Sequence, residues 1–561
     1  MADGLKATVT KQILEPIAPY IELARLHINE RCNGLEAWQI IFYTFGITMI
    51  LVWLHGQLFK QVSLKVRVKK KFFRFVRSLP IVKEKIAAEI NKISKDCEDQ
   101  MHKDVPGYVK QIPKVGLAEK ELFDEIDTYR SLATVDWQNG RVSGAIYSGD
   151  ASLARIMTKV LGIFAFSNPL HPDIFPDVRK MEAELIRMCC TMFHGNEASC
   201  GTTTSGGTES IMLACKAYRD MARDRGIEYP EMVVPKSAHA AFDKAAEYFG
   251  IKLVHVDLCP KTMQVNMKAM KRAITSNTCM LVGSAPQFPH GIIDPIQDIA
   301  KLGKSYNIPV HVDACLGGFL IAFMKKAGFE LQPFDFAVDG VCSISCDTHK
   351  YGFSPKGTSV ILYSEKKYRD WQFFVAPDWL GGIYATATFA GSRSGQVIAA
   401  TWATLMYIGE EGYVTQTKKI ITTTRYMIEK LRLINGIYVI GEPEVSVIGV
   451  ASLDFNIYRL YDALTAKGWH LNALQFPSSF HLCVTKLHTH SGVADSFVAD
   501  VEECTAEIMK TPNAKCGGMG AIYGMAQSIP DRSMVSEIAQ GYLNAVYSTG
   551  DSSIPNGKKM H

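Results

Sequence analysis

The sequence lacks the cysteine spacing of a zinc site or of a disulfide framework. Its 14 cysteines are scattered over 561 residues, and no paired Cys-x-x-Cys motif occurs among them. We therefore expect free thiols in a reducing compartment and no metal site. A strong charge imbalance is also missing, because the formal net charge is only +5. This small charge gives no support to a nucleic-acid partner.

Charged residues are absent from one long stretch near the N-terminus. Residues 37–59 contain no Asp, Glu, Lys or Arg. As a helix this stretch would be about 30 Å long or slightly more, which is enough to cross a bilayer. Trp38 and Trp53 lie near its two ends, where membrane-spanning helices place tryptophan. The alternative is a buried core helix, which the missing charges disfavour. We expect a transmembrane helix.

The two sides of this stretch differ in positive charge. The preceding side offers only Arg25 and Arg31 nearby, whereas a basic cluster follows at Lys60, Lys65, Arg67, Lys69, Lys70, Lys71, Arg74 and Arg77. Because positive charge stays cytoplasmic, the pattern predicts a lumenal N-terminus and a cytosolic remainder. No small-x-small cleavage site follows the apolar run, so it is interpreted as a signal anchor. The basic stretch can also lie on anionic lipid headgroups.

Strand and helix patterns alternate regularly through the middle of the chain, which predicts an α/β fold with a mostly parallel sheet. Strands are predicted at residues 202–204, 232–234, 251–256, 279–283, 310–313, 340–345 and 359–363. Helices are predicted at residues 208–222, 238–249, 267–274 and 296–306, after earlier helices at 82–104 and 117–132. Helices at 396–407 and 413–433 should lead to a smaller C-terminal domain. In that domain strands are predicted at 445–453 and 480–484, and helices at 457–466 and 493–509.

Two of the predicted strands end beside residues with catalytic potential. Lys350 follows strand 340–345, at a sheet edge where α/β folds bind ligands. Partial desolvation there can lower the pKa of the lysine and free its amine for Schiff-base chemistry. Asp313 ends strand 310–313. Alone, the lysine would be an ordinary surface residue and the aspartate a loop residue or helix cap.

Together these two residues fit the requirements of pyridoxal phosphate. The cofactor needs a lysine for its aldehyde and a carboxylate that keeps its pyridine nitrogen protonated. A Gly206-Gly207 turn precedes both and places Thr208 at a helix start. Exposed N–H groups and the helix dipole at such a position attract a phosphate dianion. The sequence therefore predicts a pyridoxal phosphate site.

Longer motifs make the resemblance to a family specific. They are Ser167-Asn168-Pro169-Leu170-His171-Pro172-Asp173-Ile174-Phe175-Pro176, Thr204-Ser205-Gly206-Gly207-Thr208-Glu209-Ser210 and Gly391-Ser392-Arg393. With Asp313 and Lys350, they resemble the sphingosine-1-phosphate lyases among the group II decarboxylase-like, fold-type-I pyridoxal phosphate enzymes. The resemblance covers nearly the whole chain and is weakest at its two ends. It implies a fold-type-I large domain, a smaller α+β C-terminal domain and one N-terminal transmembrane helix.

The resemblance also implies roles for individual residues. The implied cofactor-binding residues are Lys350, Asp313, His239, Gly207, Thr208, His349 and, from the partner subunit, Ser392. The implied catalytic residues are Lys350, Tyr147 and Lys356. The implied substrate-binding residues are Asn168, His171, Tyr147, Lys356 and Arg393. Structural alternatives stay open: His239 as a cap or half-buried residue rather than stacked on the pyridine ring, Asn168 fixing an Asn-Pro turn, and Arg393 forming a dimer salt bridge.

The resemblance implies a retro-aldol cleavage of the C2–C3 bond of a phosphorylated sphingoid base, in a homodimer with shared active sites at the endoplasmic reticulum membrane. A membrane anchor suits a substrate with a lipid tail. The alternatives are an amino-acid decarboxylase and an inactive membrane-tethered scaffold of the same fold.

The expected organisation is a lumenal segment (1–36), a signal anchor (37–59), a basic stretch and stalk (60–104), an N-terminal segment of the enzyme (105–150), a large cofactor domain (151–395), a small domain with linking helices (396–548) and a disordered tail (549–561).

Overall fold

The computed structural model describes residues 15–58, 64–517 and 532–550. The chain divides into two compact units, Met1–Ala88 and Glu89–His561. Five predicted segments lie partly outside the described residues. The residues concerned are 1–14 of the lumenal segment, 59 of the anchor, 60–63 of the basic stretch, 518–531 of the C-terminal part and 551–561 of the tail.

The described residues before position 103 are mainly helical. The helices are α1 (Glu15–Arg31), α2 (Ala37–Leu58), α3 (Leu64–Ser78) and α4 (Pro80–His102). Helix α2 has 22 residues and is therefore about 33 Å long. Residues Ala37–Leu54 within it are apolar, and none of this span is buried. By length and composition, α2 is compatible with a membrane anchor.

A seven-stranded sheet forms the centre of the second unit. Its strands are β1 (Cys200–Thr204), β2 (Glu231–Pro235), β3 (Lys252–Val256), β4 (Thr278–Ser284), β5 (Val310–Asp313), β6 (Val341–Cys346) and β7 (Ser359–Tyr363). They lie in the order β1-β7-β6-β5-β4-β2-β3, and only β7 runs antiparallel to its neighbours. Every residue of β2, β4, β5, β6 and β7 is buried. Burial on both faces explains the nearly continuous apolar runs of these strands.

Helices follow or precede the strands, as the alternation predicted. They are α5 (Glu119–Arg130), α6 (Ala151–Ile163), α7 (Pro176–Met192), α8 (Gly207–Asp224), α9 (Ala241–Phe249), α10 (Met267–Ala273), α11 (Ile296–Tyr306), α12 (Gly318–Met324) and α13 (Lys366–Arg369). A short 3-10 turn, Asp370–Gln372, leads into the hairpin of β8 (Phe374–Ala376) and β9 (Tyr384–Thr386). The α/β architecture and the mostly parallel sheet are thus confirmed.

The C-terminal part of this unit contains a second, smaller sheet. Its elements are α14 (Gly395–Leu431), β10 (Tyr438–Val439), β11 (Val447–Ala451), α15 (Ile457–Ala466), β12 (Asn472–Leu474), β13 (Ser479–Cys483) and α16 (Val493–Met509), with a 3-10 turn at Lys486–Thr489 and a last helix, α17 (Arg532–Tyr547). The four strands pair antiparallel in the order β10-β11-β13-β12.

The two helices predicted at residues 396–407 and 413–433 are confirmed. They form the two halves of α14, which meet at a kink. Gly409 inside it has a non-helical backbone with φ 63° and ψ 173°. Glycine adopts positive φ without a steric cost, so the chain bends at Gly409 and helical structure resumes at once.

Candidate active site

The chemistry-bearing residues converge on a cavity of about 320 Å³ at one edge of the large sheet. Strands β5 and β6 are parallel neighbours, so their carboxyl ends meet at the same edge. Ligands of α/β folds bind at such an edge. The lining residues are Ser205, Gly206, Gly207, Thr208, Glu209, Ile211, His239, Cys315, Asp347, His349 and Lys350. Five of the predicted cofactor-binding residues are among them.

The Gly206-Gly207 turn lies at the start of α8, as predicted, although the helix begins one residue earlier, at Gly207. A Cβ on Gly207 would lie 2.7 Å from Oδ1 of Asp347 and 2.9 Å from Sγ of Cys315. No larger residue fits there without displacing the cavity wall. Thr208 is exposed in the first turn of the helix. The free N–H groups of this turn make it suitable for a phosphate group.

Lys350 is held by an ion pair inside this cavity. Its Nζ lies 2.9 Å from Oδ2 of Asp347, which is 3% exposed. Burial of Lys350, the largest single effect, favours the neutral amine. The interactions with Asp347 first, and then with Tyr147 and Cys315, together outweigh burial and raise the pKa of Lys350. The sequence predicted a lowered pKa from desolvation, and that prediction was wrong. The prediction left out the carboxylate of Asp347, which lies in the same turn as Lys350.

Asp313 is buried at the end of β5, where its Oδ1 accepts hydrogen bonds. The donors are the backbone N–H of Cys315, at 3.0 Å, and the Ser345 hydroxyl, at 3.4 Å. Asp313 itself does not line the cavity, whereas Cys315 does. The carboxylate is therefore fixed against the residue that forms part of the wall.

His239 and His349 both line the cavity. Nδ1 of His239 accepts a hydrogen bond from the backbone N–H of Ala241 at 3.1 Å, as expected of a residue that caps α9. This bond explains why α9 begins three residues later than predicted. Nδ1 of His349 bonds to the carbonyl oxygen of Thr358, which assigns the ring proton to Nδ1. Burial lowers the pKa of His349.

Tyr147 and Lys356 lie against one another. The ammonium of Lys356 is 4.9 Å from the centre of the Tyr147 ring, a cation–π distance. Burial, followed by the interaction with Cys483, raises the pKa of Tyr147. Burial, followed by the charge of Lys350, lowers the pKa of Lys356. Tyr147 thus stays protonated as a hydrogen-bond donor, while Lys356 loses its proton more readily than an ordinary lysine.

A second set of predicted residues lies together without lining this cavity. Asn168 donates from Nδ2 to the Ser392 hydroxyl at 3.1 Å, and its Oδ1 accepts the backbone N–H groups of Leu170 and Arg393. The guanidinium of Arg393 forms a two-point ion pair with Glu182. Arg393 is therefore paired within its own chain rather than free for a substrate phosphate, and Asn168 does fix the Asn-Pro turn.

His171 belongs to the same turn. Its backbone N–H bonds to the Asn168 carbonyl oxygen, and its side chain is exposed. The resemblance implies that Ser392 reaches the cofactor of the partner subunit, and the placement of this set in one chain is compatible with that arrangement. Asp347 and Cys315, in contrast, line the cavity but were not predicted as site residues. The sequence did contain a signal for Asp347, because this residue lies three positions before Lys350 in the same turn.

Comparison with known proteins identifies the family. Residues 102–450 match the family model described as the pyridoxal-dependent decarboxylase conserved domain. Sphingosine-1-phosphate lyase 1 of Rattus norvegicus is 51% identical over 562 residues, which cover 100% of this chain and 98% of that protein. The chain belongs to the sphingosine-1-phosphate lyase family. The lyase of Drosophila melanogaster is 50% identical over 525 residues, or 93% of this chain and 96% of the relative.

Solved structures of this family and its neighbours support the fold. A sphingosine-1-phosphate lyase from Burkholderia pseudomallei is 38% identical, with a TM-score of 0.71 over 73% of this chain and 95% of that one. A glutamate decarboxylase from Lactobacillus brevis, 22% identical with a TM-score of 0.62 over 74% of this chain and 98% of that one, shares the fold. The matches confirm the predicted fold class, the pyridoxal phosphate cofactor and the interpretation as a carbon–carbon lyase.

The residues present fit this cofactor. A lysine amine, a glycine with no room for a side chain, a helix N-terminus and a neutral histidine face one cavity. The buried Oδ1 of Asp347 has no hydrogen-bond partner among the described residues. An unpartnered carboxylate oxygen in a cavity is costly unless a bound group supplies a donor. The helix N-terminus, the amine, the histidine and the free carboxylate oxygen therefore suit a group that carries both a phosphate and ring substituents able to form hydrogen bonds.

Proposed function

We propose that this chain cleaves the C2–C3 bond of phosphorylated sphingoid bases, such as sphingosine 1-phosphate, to a long-chain aldehyde and phosphoethanolamine. The observation that carries the proposal is the position of the Lys350 amine, in a cavity that opens at the N-terminus of α8. The full-length relatives add support, because the proteins that match this chain from end to end are named as lyases of this substrate.

The cofactor would be held by named groups of the cavity. Lys350 would bind its aldehyde, Gly207, Thr208 and His349 its phosphate, and His239 the face of its ring. Asp313 is proposed as the partner of the ring nitrogen. When bound, pyridoxal phosphate supplies an electron sink for the bonding pair released at the substrate carbon that carries the amine.

The contacting pair Tyr147 and Lys356 is proposed to handle the hydroxyl proton of the substrate. Cleavage between C2 and C3 requires a base for the C3 hydroxyl. Lys356 is favoured over Tyr147 for this role, because the pKa of Lys356 is lowered and that of Tyr147 is raised. Tyr147 would then donate a hydrogen bond, and its ring would position the Lys356 ammonium through the cation–π contact. Substrate binding by Lys356 stays part of the proposal, because an ammonium group can pair with a substrate phosphate.

Product analysis separates this function from its alternatives. Purified protein is incubated with a phosphorylated sphingoid base and separately with amino acids, and both long-chain aldehyde and carbon dioxide are measured. Aldehyde in equal amount to phosphoethanolamine supports the lyase, whereas carbon dioxide without aldehyde identifies a decarboxylase. A scaffold that has lost catalysis would give neither product. It would also lack a visible absorbance that borohydride removes.

We propose further that the enzyme is a homodimer with shared active sites. Ser392 and Arg393 do not line the cavity of their own chain, and fold-type-I sites are built at a subunit interface according to the resemblance. The hairpin of β8 and β9, which precedes these residues, exposes Phe374, Val375, Trp379, Leu380 and Ile383. Such an apolar surface is typical of an interface between subunits. Ser392 would then hold the cofactor phosphate of the partner.

The anchor helix is proposed to place the enzyme at the endoplasmic reticulum membrane, with a lumenal N-terminus and a cytosolic catalytic unit. Helix α2 supplies the span, and basic residues follow it. A glycosylation acceptor inserted before Glu36 should be modified, whereas one inserted after Arg77 should not. The reverse pattern would place the catalytic unit in the lumen.

A further inference from the structure

Four polar side chains lie on one face of the two central strands. His311 and Asp313 alternate on β5, and Ser343 and Ser345 alternate on β6, with His311 opposite Ser343 and Asp313 opposite Ser345. All four are buried; Asp313, at 7% exposed, is the least so. Polar groups in such a position are costly unless they bond to one another. They do so in this protein, and they form a chain that ends at Asp313.

The hydrogen bonds of this chain are continuous. The Ser345 hydroxyl bonds to Oδ1 of Asp313 at 3.4 Å, and Nε2 of His311 lies 3.1 Å from the Ser345 oxygen. Nδ1 of His311 lies 2.8 Å from the Ser343 oxygen, and the Tyr218 hydroxyl donates to Ser343 at 2.7 Å. Tyr218, in α8, is fully buried. The chain thus runs from helix α8 through β6 and β5 to the carboxylate.

The acceptor at one end determines every proton position in the chain. Asp313 can only accept, so Ser345 gives its one hydroxyl proton to the carboxylate. Ser345 must then accept from His311, which places the ring proton on Nε2. Burial lowers the pKa of His311 to about 4, so the ring is neutral and its Nδ1 accepts. Ser343 donates to that nitrogen and in turn accepts from Tyr218. All donors therefore point toward Asp313.

One competing acceptor lies close to Ser345. This acceptor is the Cys315 thiol, but burial raises the pKa of Cys315 and keeps the sulfur protonated. A carboxylate is a much stronger acceptor than a thiol. The hydroxyl proton of Ser345 is thus directed to Asp313.

The same chain connects elements that bear other site residues. The His311 ring packs edge-on against Phe242 with 6.0 Å between ring centres. Phe242 lies in α9, three residues after His239, and Tyr218 lies in α8, which begins at Gly207. Hydrogen bonds that polarise one another strengthen along such a chain. Its members therefore fix the carboxylate relative to both helices.

We propose that His311 is a positioning residue, which acts through Ser345 to hold the Asp313 carboxylate oriented toward the ring nitrogen of the cofactor. This inference rests on the role of Asp313 in the proposed function. Loss of the Ser345 donor removes a hydrogen bond that stabilises the negative charge of the carboxylate. A proton shared by Asp313 and the ring nitrogen of the bound cofactor would then lie nearer the carboxylate, and the cofactor would be a weaker electron sink.

The test uses the full-length protein loaded with pyridoxal phosphate carrying ¹⁵N in its ring. The ¹⁵N chemical shift reports the protonation of the ring nitrogen without reference to activity. The variants are Ser345→Ala, which removes the donor, and His311→Phe, which keeps an aromatic ring but removes both nitrogens. Ser345→Thr is the matched control, because it keeps the hydroxyl. The expected change in the protonation equilibrium is about 10- to 100-fold toward the unprotonated ring for Ser345→Ala, as for a hydrogen bond to a charged group.

The outcomes separate the inference from the proposed function. A displaced ¹⁵N signal in Ser345→Ala and His311→Phe, together with an unchanged signal in Ser345→Thr, supports the proposed chain of hydrogen bonds. If the ¹⁵N signal is unchanged in Ser345→Ala and His311→Phe but displaced in Asp313→Asn, the proposed chain of hydrogen bonds is overturned. The role of Asp313 then stands. An unchanged signal in Asp313→Asn as well overturns both. If the first two variants do not fold, Tyr218→Phe decides: a smaller displacement in the same direction supports the chain, and none overturns it.

Discussion

Nζ of Lys350 lies 2.9 Å from Oδ2 of Asp347, inside the cavity proposed to hold the cofactor. The two residues are three positions apart in one turn, so the motif that supplies the lysine also supplies its counter-ion. The carboxylate holds the lysine as an ammonium ion, which is not a nucleophile. The ion pair must therefore be broken, or the proton moved to another group, before the amine can react.

Asp347→Asn should make cofactor loading faster at lower pH. The carboxylate raises the pKa of Lys350 against the effect of burial, so its removal leaves burial to lower that pKa. The neutral amine then becomes available at a pH where the wild type is still protonated. The rate at which visible absorbance develops after addition of pyridoxal phosphate, measured against pH, checks this. Asp339→Asn, which changes an exposed carboxylate paired with Lys304, is the control and should match the wild type. An identical pH profile for Asp347→Asn would show that the ion pair does not control the amine.

Lys356→Met should remove a pH-dependent step that Tyr147→Phe retains. If Lys356 takes the hydroxyl proton, kcat rises with pH through its lowered pKa, below the usual value of about 10.4. Loss of a general base costs about 10²- to 10⁴-fold in rate. Tyr147→Phe keeps the ring beneath the ammonium and should preserve the rising limb at reduced kcat. A rising limb that persists in Lys356→Met would assign the base to another group.

His290→Leu should become more stable relative to the wild type as the pH falls. Burial lowers the pKa of His290 to about 4, and neither ring nitrogen has a partner among the described residues. Between pH about 6.5 and 4 the unfolded chain binds a proton that the folded chain excludes, so this histidine lowers wild-type stability as the pH drops. The difference should grow to the order of 3 kcal/mol at pH 4. Urea unfolding midpoints at several pH values measure it, and a constant difference would contradict the assignment.

Ser392→Ala and Lys350→Ala variants should complement one another when mixed. If each active site takes Lys350 from one chain and Ser392 from the other, half of the sites in a hybrid dimer contain both defects and half contain neither. A chain without residues 1–60 is suitable, since no proposed site residue lies before Tyr147. Activity after mixing and subunit exchange should exceed the sum of the separate variants. Activity equal to that sum would place Ser392 in the site of its own chain.

Local patterns were sufficient for much of the fold and part of the site. The helices at Ile296–Tyr306 and Val493–Met509 and the strand at Val310–Asp313 have the predicted bounds, because each shows strong periodicity or a clear end signal. The ion pair of Arg393 with Glu182 joins residues 211 positions apart, which no local pattern reveals. His311 was also missed, because a histidine in an apolar strand shows its partners only when the register of β5 and β6 is known.

Borohydride reduction of the loaded enzyme, followed by peptide mapping, tests most directly that this cavity is the active site. Reduction should fix a pyridoxyl group on Lys350. The amount of modified Lys350 should equal the amount of cofactor whose visible absorbance is lost. The Lys350→Ala variant should remain folded and carry no pyridoxyl group. Lys356 is the sharpest alternative, because it lies six positions along the chain and the pKa of its amine is lowered. A pyridoxyl group on Lys356, or on any other lysine, would contradict the account.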